Sequence, residues 1–189
     1  IDSILRKNSS NEDKVNRIIA IESEDQTAKI CDYVIDFNTY DEAVADAEFV
    51  MDVIEDHGMY FEYPIYIDIE ESDQLALSSS SLGNLCLGWC ETLVENGYFP
   101  GIYGNYELYD NLPTSVINTY DTWIAWVSSA DSISSYTPWA YNLSDECAMW
   151  QYSFYGYEYD GIGLDMLDVN VAYKDYPALM EKYGYNNVA

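Results

Sequence analysis

From residue 32 onward, apolar strand-like runs alternate with segments of helical periodicity. The strand candidates are Tyr33 to Asn38, Tyr63 to Glu70, Phe99 to Asn105, Thr122 to Val127, Ala148 to Tyr152 and Leu167 to Ala172. One helix is predicted from a capping box at Thr39 and Glu42 to Gly58, and a second helix ends at Gly97. Apolar strands separated by amphipathic helices are typical of a parallel sheet covered by helices, so the pattern predicts an α/β fold, either a barrel or an open sheet.

The first 30 residues differ from the rest of the chain. Residues 1–30 are polar and show little periodicity beyond a cluster of Val15, Ile18 and Ile19. We therefore expect a lead-in, helical or loosely ordered, before a domain that spans residues 31–189. The total of 189 residues suits a single domain with one core.

The charge is large and uneven. The formal net charge is −27, and no Lys or Arg occurs between Cys31 and Tyr173. Because binding to phosphate backbones and anionic membranes depends on cationic contacts, we expect no nucleic-acid partner and no membrane partner. No apolar run approaches the ~20 residues that span a bilayer, and no signal peptide is visible at the start of the sequence.

Histidine and cysteine usage predicts neither a metal site nor a cofactor. The single histidine, His57, rules out zinc sites built on several imidazoles, and we interpret it as a solvated residue near a helix end. Cys86 and Cys90 are spaced CxxxC with no second pair to complete a zinc knuckle. Free thiols and a disulfide between Cys31 and Cys147 both remain open, and no EF-hand loop is present.

The segment with the most chemical information is the strand Tyr63 to Glu70, which ends in Asp68 and Glu70. Side chains two apart on a strand share a face, so both carboxyl groups should point the same way from the end of the strand. Like charges in a poorly solvated site raise the pKa of one carboxyl group, which can then act as a general acid. Glu70 is the better acid candidate, although a strand that simply turns polar as it leaves the core would look similar.

A second acidic strand end follows a glycine-rich turn, where Asp165 suits turn chemistry and Asp168 lies among apolar neighbours. Aromatic and amide side chains also occur at or near strand ends: Tyr103, Trp123, Trp126, Trp150, Gln151 and Tyr152. Aromatic rings beside paired carboxylates are typical of sugar-binding clefts. Strand alternation places Trp123 and Trp126 on opposite faces, so at least one of them should belong to the core.

Five segments in order resemble glycoside hydrolase family 25, the Chalaropsis-type lysozymes: YPIYIDIE (63–70), NGYFPGIYGN (96–105), TWIAWV (122–127), MWQYS (149–153) and DGIGLDMLDVN (160–170). The resemblance covers roughly residues 33–177. It implies an irregular TIM-like β/α barrel and cleavage of the bond between N-acetylmuramic acid and N-acetylglucosamine in peptidoglycan.

The resemblance also implies roles for individual residues. Glu70 matches the proton donor, Asp68 its companion carboxylate, and Asp168 the aspartate of a C-terminal V-D-L-N motif. The substrate-binding candidates are Tyr103, Trp126, Trp150, Gln151 and Tyr152.

The chain departs from the family pattern at its start and in one strand. The family opens with a G-I-D-V-S strand whose aspartate belongs to the active site, whereas this sequence starts Ile1-Asp2-Ser3. We therefore expect the opening strands to be absent or diverged and the site to be incomplete. Asp2 is better explained as part of a frayed terminus than as the missing carboxylate, and Asp36 is a comparable weak candidate. Trp126 also replaces the glutamine of the family's W-x-A-Q-Y pattern.

Three functional hypotheses follow from these residues. The first is an extracellular or lytic muramidase, monomeric and without a cofactor, that acts on peptidoglycan glycan strands. The second is a glycan-binding module that has lost catalysis, and the third is a chitin-type glycosidase, since a D-x-E strand end occurs there too. A charge of −27 should repel anionic cell walls at neutral pH and low salt, so acidic pH or high salt should favour activity.

Overall fold

The structure is a computed structural model that describes the backbone of residues 31–34 and all of residues 39–127, 138, 141–154 and 168–188. The strands in this part of the chain are β1 (Cys31–Val34), β2 (Ile65–Ile69), β3 (Pro100–Asn105), β4 (Asp121–Ala125), β5 (Met149–Ser153) and β6 (Val169–Ala172). The helices are α1 (Tyr40–Asp56), α2 (Ser72–Leu75), α3 (Ser79–Glu95), α4 (Tyr106–Asn111), α5 (Thr114–Ile117) and α6 (Tyr176–Tyr183).

The strands form one sheet in the order β1-β2-β3-β4-β5-β6. Strands β1 to β5 pair in parallel, which confirms the predicted α/β pattern. Strand β6 is antiparallel to β5, so the prediction of a parallel sheet is wrong at this edge. Within the described residues β1 and β6 each pair on one side, and the sheet is therefore not closed into the expected TIM-like barrel.

Helix α1 forms where the sequence signals place it. The Thr39 hydroxyl accepts a hydrogen bond from the Glu42 amide at 3.4 Å and donates to the Glu42 carboxylate at 2.8 Å. Its apolar stripe of Ala43, Ala47, Val50 and Ile54 is fully buried. The helix gives way to Gly58 with a φ of +62°, a left-handed conformation that favours glycine.

Helix α3 packs directly on α1. The Ser78 hydroxyl caps the helix by accepting from the Ser81 amide at 3.2 Å. At Gly88 the two helices approach so closely that a Cβ atom would lie 2.5 Å from the Tyr40 carbonyl oxygen. A larger residue at position 88 would therefore force α1 and α3 apart.

The sheet has two faces with different character. The helix face carries Ile65, Ile67, Ile69 and Ile102, which join α1 and α3 in the main core. It continues across β4 and β5 through Ile124 and Trp150. The opposite face, here called the carboxylate face, carries Tyr66, Asp68, Glu70, Tyr103, Trp123, Met149, Gln151 and Asn170 by strand alternation and register.

The C-terminal segment binds two loops that precede strands, a contact that no local sequence signal predicts. Asn186 is fully buried with a φ of +54°. Its side-chain oxygen accepts from the Phe99 amide at 2.7 Å, and its side-chain nitrogen donates to the Tyr63 carbonyl at 2.8 Å. The segment thereby joins the chain entering β2 to the chain entering β3.

The structure also decides the smaller expectations about a cysteine, the histidine and membrane-spanning helices. Cys147 is a free, buried thiol, so the disulfide with Cys31 is not formed. His57 lies at the C-terminal cap of α1, and its Nδ1 is 3.0 Å from the Val53 carbonyl oxygen. Among the described residues, no helix combines the length and the apolar character needed to cross a membrane.

Candidate active site

Asp68 and Glu70 lie together at the C-terminal end of β2. Asp68 is 8% exposed and pairs in register with Tyr103 of β3. Glu70 follows the last residue of the strand and is exposed to solvent. Because the two positions are separated by one residue, both side chains belong to the carboxylate face at the edge where parallel strands end.

Asp168 reaches the same edge from the opposite chain direction. It immediately precedes β6, whose Val169 pairs with Ser153 at the C-terminal end of β5. An antiparallel strand that starts there begins at the edge where its parallel neighbours finish. The negative charge of Asp168 is close enough to raise the pKa of Glu70, which agrees with this placement. We call Asp68, Glu70 and Asp168 the rim carboxylates.

The electrostatics of the rim favour a protonated carboxyl group. Partial burial is the largest cause of a raised pKa at Glu70, and the charges of Asp168 and Glu71 add to it. Burial also raises the pKa of Asp168. A carboxyl group that keeps its proton above the usual pH range for glutamic acid can donate that proton to a leaving oxygen, which is the requirement for general-acid catalysis.

Polar and aromatic side chains of four neighbouring strands line the carboxylate face beside the rim. The Tyr103 hydroxyl donates to the Gln151 Oε1 at 2.8 Å, and Gln151 is 2% exposed. The Trp123 indole lies beside Tyr103, with ring centroids 4.5 Å apart. Its Nε1 donates to Asn170 Oδ1 at 2.9 Å. Strands β3, β4, β5 and β6 therefore each contribute a side chain to one connected network.

Three of the predicted substrate-binding residues lie on the other face and need correction. Trp150 is fully buried among the residues of the helix face, and its Nε1 donates to the Trp126 carbonyl at 2.9 Å. Tyr152 is 6% exposed in the same cluster. Trp126 packs there too, with its ring 5.1 Å from that of Tyr106. A ring behind the sheet cannot stack on a sugar at the carboxylate face, so the buried rings of Trp150 and Tyr152 and the half-buried ring of Trp126 act in packing.

Trp123 was named among the aromatic residues near strand ends but not among the substrate-binding candidates, and Asn170 was not a candidate. The alternation in TWIAWV separates the two tryptophans, yet it does not say which of them faces the helices. The register of the sheet decides between them. Asp68 and Trp123 both align with Tyr103, so Trp123 lies on the same face as Asp68 and Trp126 lies on the helix face.

Several earlier candidates lie outside the described residues, namely Asp2, Asp36 and Asp165, together with the glycine-rich turn before Asp168. Within the described ranges, no group of three or more histidine, cysteine, aspartate or glutamate residues is placed to hold a metal ion.

The family described as "Rv2525c-like, glycoside hydrolase-like domain" matches residues 19–172. The chain belongs to this family. The match begins inside the segment that we predicted to be a lead-in, and the proposed boundary at residue 31 stays a prediction. No curated protein sequence matches the chain.

Three solved structures, two of them of family 25 glycosyl hydrolases, share the fold at low sequence identity. The Cpl-1 endolysin complexed with a peptidoglycan analogue is 21% identical with a TM-score of 0.56, over 76% of this chain and 38% of that one. GHIP of Streptococcus pneumoniae, a glycosyl hydrolase 25, is 18% identical with a TM-score of 0.55, over 80% and 63%. A family 25 glycosyl hydrolase of Bacillus anthracis is 21% identical with a TM-score of 0.52, over 82% and 67%. The chain thus spans about two fifths of the endolysin and about two thirds of the other two proteins.

Proposed function

We propose that this protein is a lysozyme-type glycosidase that cleaves the β-1,4 bond between N-acetylmuramic acid and N-acetylglucosamine in peptidoglycan. The observation that carries the proposal is the convergence of Asp68, Glu70 and Asp168 at one edge of the sheet, with a raised pKa at Glu70. Membership in a glycoside hydrolase-like family and a fold shared with family 25 glycosyl hydrolases support it. Peptidoglycan glycan strands are the proposed partner, and the proposed place of action is outside the cell or after lysis.

In this proposal Glu70 is the general acid. Its position beyond the end of β2 leaves its carboxyl group accessible to a substrate, while partial burial and Asp168 keep the proton on it. Proton transfer to the glycosidic oxygen releases the leaving sugar and creates positive charge at the anomeric carbon. A second carboxylate, Asp68 or Asp168, or the N-acetyl oxygen of the substrate then stabilises that charge, until water adds to the anomeric carbon and its proton returns to a rim carboxylate.

Tyr103 and Gln151 are proposed to contact the sugar beside the acid. They are joined by a buried hydrogen bond of 2.8 Å, which fixes the phenol and the amide relative to one another. Tyr103 is 8% exposed and Gln151 is 2% exposed, so they are proposed to form the fixed floor of the sugar site, with the edge of the Tyr103 ring as the contact and no side-chain entropy lost when a pyranose binds.

The test compares wild type with Glu70→Gln on purified peptidoglycan and measures the release of reducing ends. The substitution keeps the shape of the side chain and removes the proton donor, so turnover should fall by about 10²–10⁴-fold. Binding to insoluble walls should change little, because the amide still fills the same space. Chitin oligosaccharides in parallel reactions distinguish the muramidase from a chitin-type enzyme.

A matched control is Glu48→Gln, which removes one carboxylate from an exposed position of α1, away from the rim. It should retain turnover close to that of wild type. If wild type and Glu70→Gln both bind walls and neither releases reducing ends, the protein is a glycan-binding module and the proposed activity is wrong.

A further inference from the structure

One hydrogen bond on the carboxylate face crosses an entire strand. Trp123 belongs to β4 and Asn170 to β6, and β5 lies between them in the sheet. The Trp123 Nε1 nevertheless donates to Asn170 Oδ1 at 2.9 Å. The bond therefore ties the edge strand to the interior of the sheet over the top of β5, independently of the backbone pairing.

Backbone pairing holds the edge strand β6 less firmly than it holds the other strands. Strand β6 has four residues and is paired on one side within the described part of the chain. Its register with β5 is irregular between Gln151 and Ser153, which is the stretch nearest to Asp168. A short strand with irregular pairing specifies its register weakly, so backbone hydrogen bonds alone hold the position of Asp168 loosely.

Trp123 is a rigid donor for this purpose. Its side chain is 7% exposed. The indole contacts Tyr103 at a centroid distance of 4.5 Å and meets Tyr66 edge-on at 5.0 Å. Rings on two neighbouring strands therefore fix the direction in which the indole N–H points, whereas Asn170 is exposed and would otherwise be free to rotate.

We propose that Trp123 is a positioning residue, which acts through Asn170 to hold Asp168 beside Glu70. The inference rests on the proposed function for its catalytic meaning, since Glu70 is the acid in that scheme. The structural part of the inference does not depend on catalysis. The bond between Trp123 and Asn170 determines how strongly the charge of Asp168 raises the pKa of Glu70. Asp168 already contributes to the raised pKa of Glu70, so a displaced Asp168 has a measurable consequence.

The experiment uses Asn170→Ala, Trp123→Phe and the double variant of the full chain, with the pKa of Glu70 measured by NMR titration. Asn170→Ala removes the acceptor at an exposed position and should leave folding intact. Trp123→Phe keeps a ring in the stack and removes the donor. Each single variant should lower the pKa of Glu70, and the double variant should lower it no further than the stronger single one, because both remove the same bond.

Two controls separate positioning from a general loosening of the edge strand. Val171→Ala trims the helix face of β6 and leaves the bond in place, so the pKa of Glu70 should stay at the wild-type value. In an Asp168→Asn background, Asn170→Ala should no longer shift that pKa. An unchanged pKa in folded Asn170→Ala and Trp123→Phe would overturn the proposal.

Activity gives an independent reading of the same variants. The limb of the turnover profile that reports loss of the acid's proton should move to lower pH in Asn170→Ala, together with the pKa of Glu70. A shifted pKa in a protein without turnover would support the positioning role and reject the proposed function. An unchanged pKa in a protein that turns over peptidoglycan would reject the positioning role and support the proposed function.

Discussion

The two ends of the carboxylate face use aspartate in opposite ways. At the N-terminal end of β4, Asp121 accepts hydrogen bonds from Lys174 and, at 2.9 Å, from the Tyr176 hydroxyl. At the other end, the rim carboxylates lie together where the parallel strands end. The described part of the chain contains two basic residues, Lys174 and Lys182, and both lie beside or within α6. One end is therefore neutralised, and the other remains acidic.

The difference shows how the surroundings decide what a carboxylate does. Tyr176 is fully buried, and burial together with the charge of Asp121 raises the pKa of its hydroxyl well above the usual range. The hydroxyl consequently stays a donor, and Asp121 fastens α6 to the sheet. At the rim, burial and like charge raise the pKa of Glu70 and favour its protonated form. The first arrangement suits structure, and the second suits proton transfer.

The largest expected effect is on stability, and it comes from a residue behind the sheet that belongs to neither end of the carboxylate face. Trp150→Ala removes a fully buried ring from the helix face and should lower the free energy of unfolding by about 3–5 kcal/mol. Denaturant unfolding measures the loss, with half-buried Trp126→Ala as the milder control. A stable Trp150→Ala protein that fails to bind glycan would show that the ring contacts sugar after all.

The next largest effect comes from removing Asp121, the carboxylate at the neutralised end. Asp121→Ala removes the partner of Lys174 and of the Tyr176 hydroxyl, and we expect a loss of about 1–3 kcal/mol of stability because a buried hydroxyl loses a charged acceptor. Turnover per folded molecule should remain as in wild type. Asp110→Ala, at an exposed position, controls for the removal of one negative charge. Reduced turnover without reduced stability would place Asp121 in the chemistry and end the distinction between the two ends.

Local signals made much of this fold predictable. Thr39, Gly58, Ser78 and Gly97 mark helix boundaries because capping and left-handed turns depend on the residues at those positions. The direction of β6 was not predictable, since an apolar run carries no record of which way its strand is paired. The role of Asn186 was equally hidden, because its partners lie 87 and 123 residues away.

The candidate site was predictable where the argument rested on alternation. Asp68 and Glu70 share a face because one residue separates them, as the sequence implies. Gln151 lies between Trp150 and Tyr152, so the three residues could never have shared a face. The structure assigns Gln151 to the carboxylate face and both rings to the core.

The smallest effect concerns stability rather than turnover. A raised pKa in the folded state means that ionising Glu70 destabilises the fold, so its contribution to stability is complete below the unfolded pKa and declines as pH rises through the folded pKa. Glu70→Gln removes the ionisable group and should melt at a higher temperature than wild type at neutral pH. The difference should shrink toward zero below the unfolded pKa of about 4.3. A lower melting temperature at neutral pH would indicate that the ionised group stabilises the rim.

The most direct test of the acidic rim is a titration of the Glu70 carboxyl carbon by NMR, in wild type and in Asp168→Asn, beside the pH dependence of turnover. We predict a wild-type pKa above the ~4.3 of a free glutamate, a lower value in Asp168→Asn, and turnover that falls as pH rises through the wild-type pKa. A Glu70 that is fully ionised at the pH of maximal turnover, or whose pKa is the same in Asp168→Asn, would contradict the account.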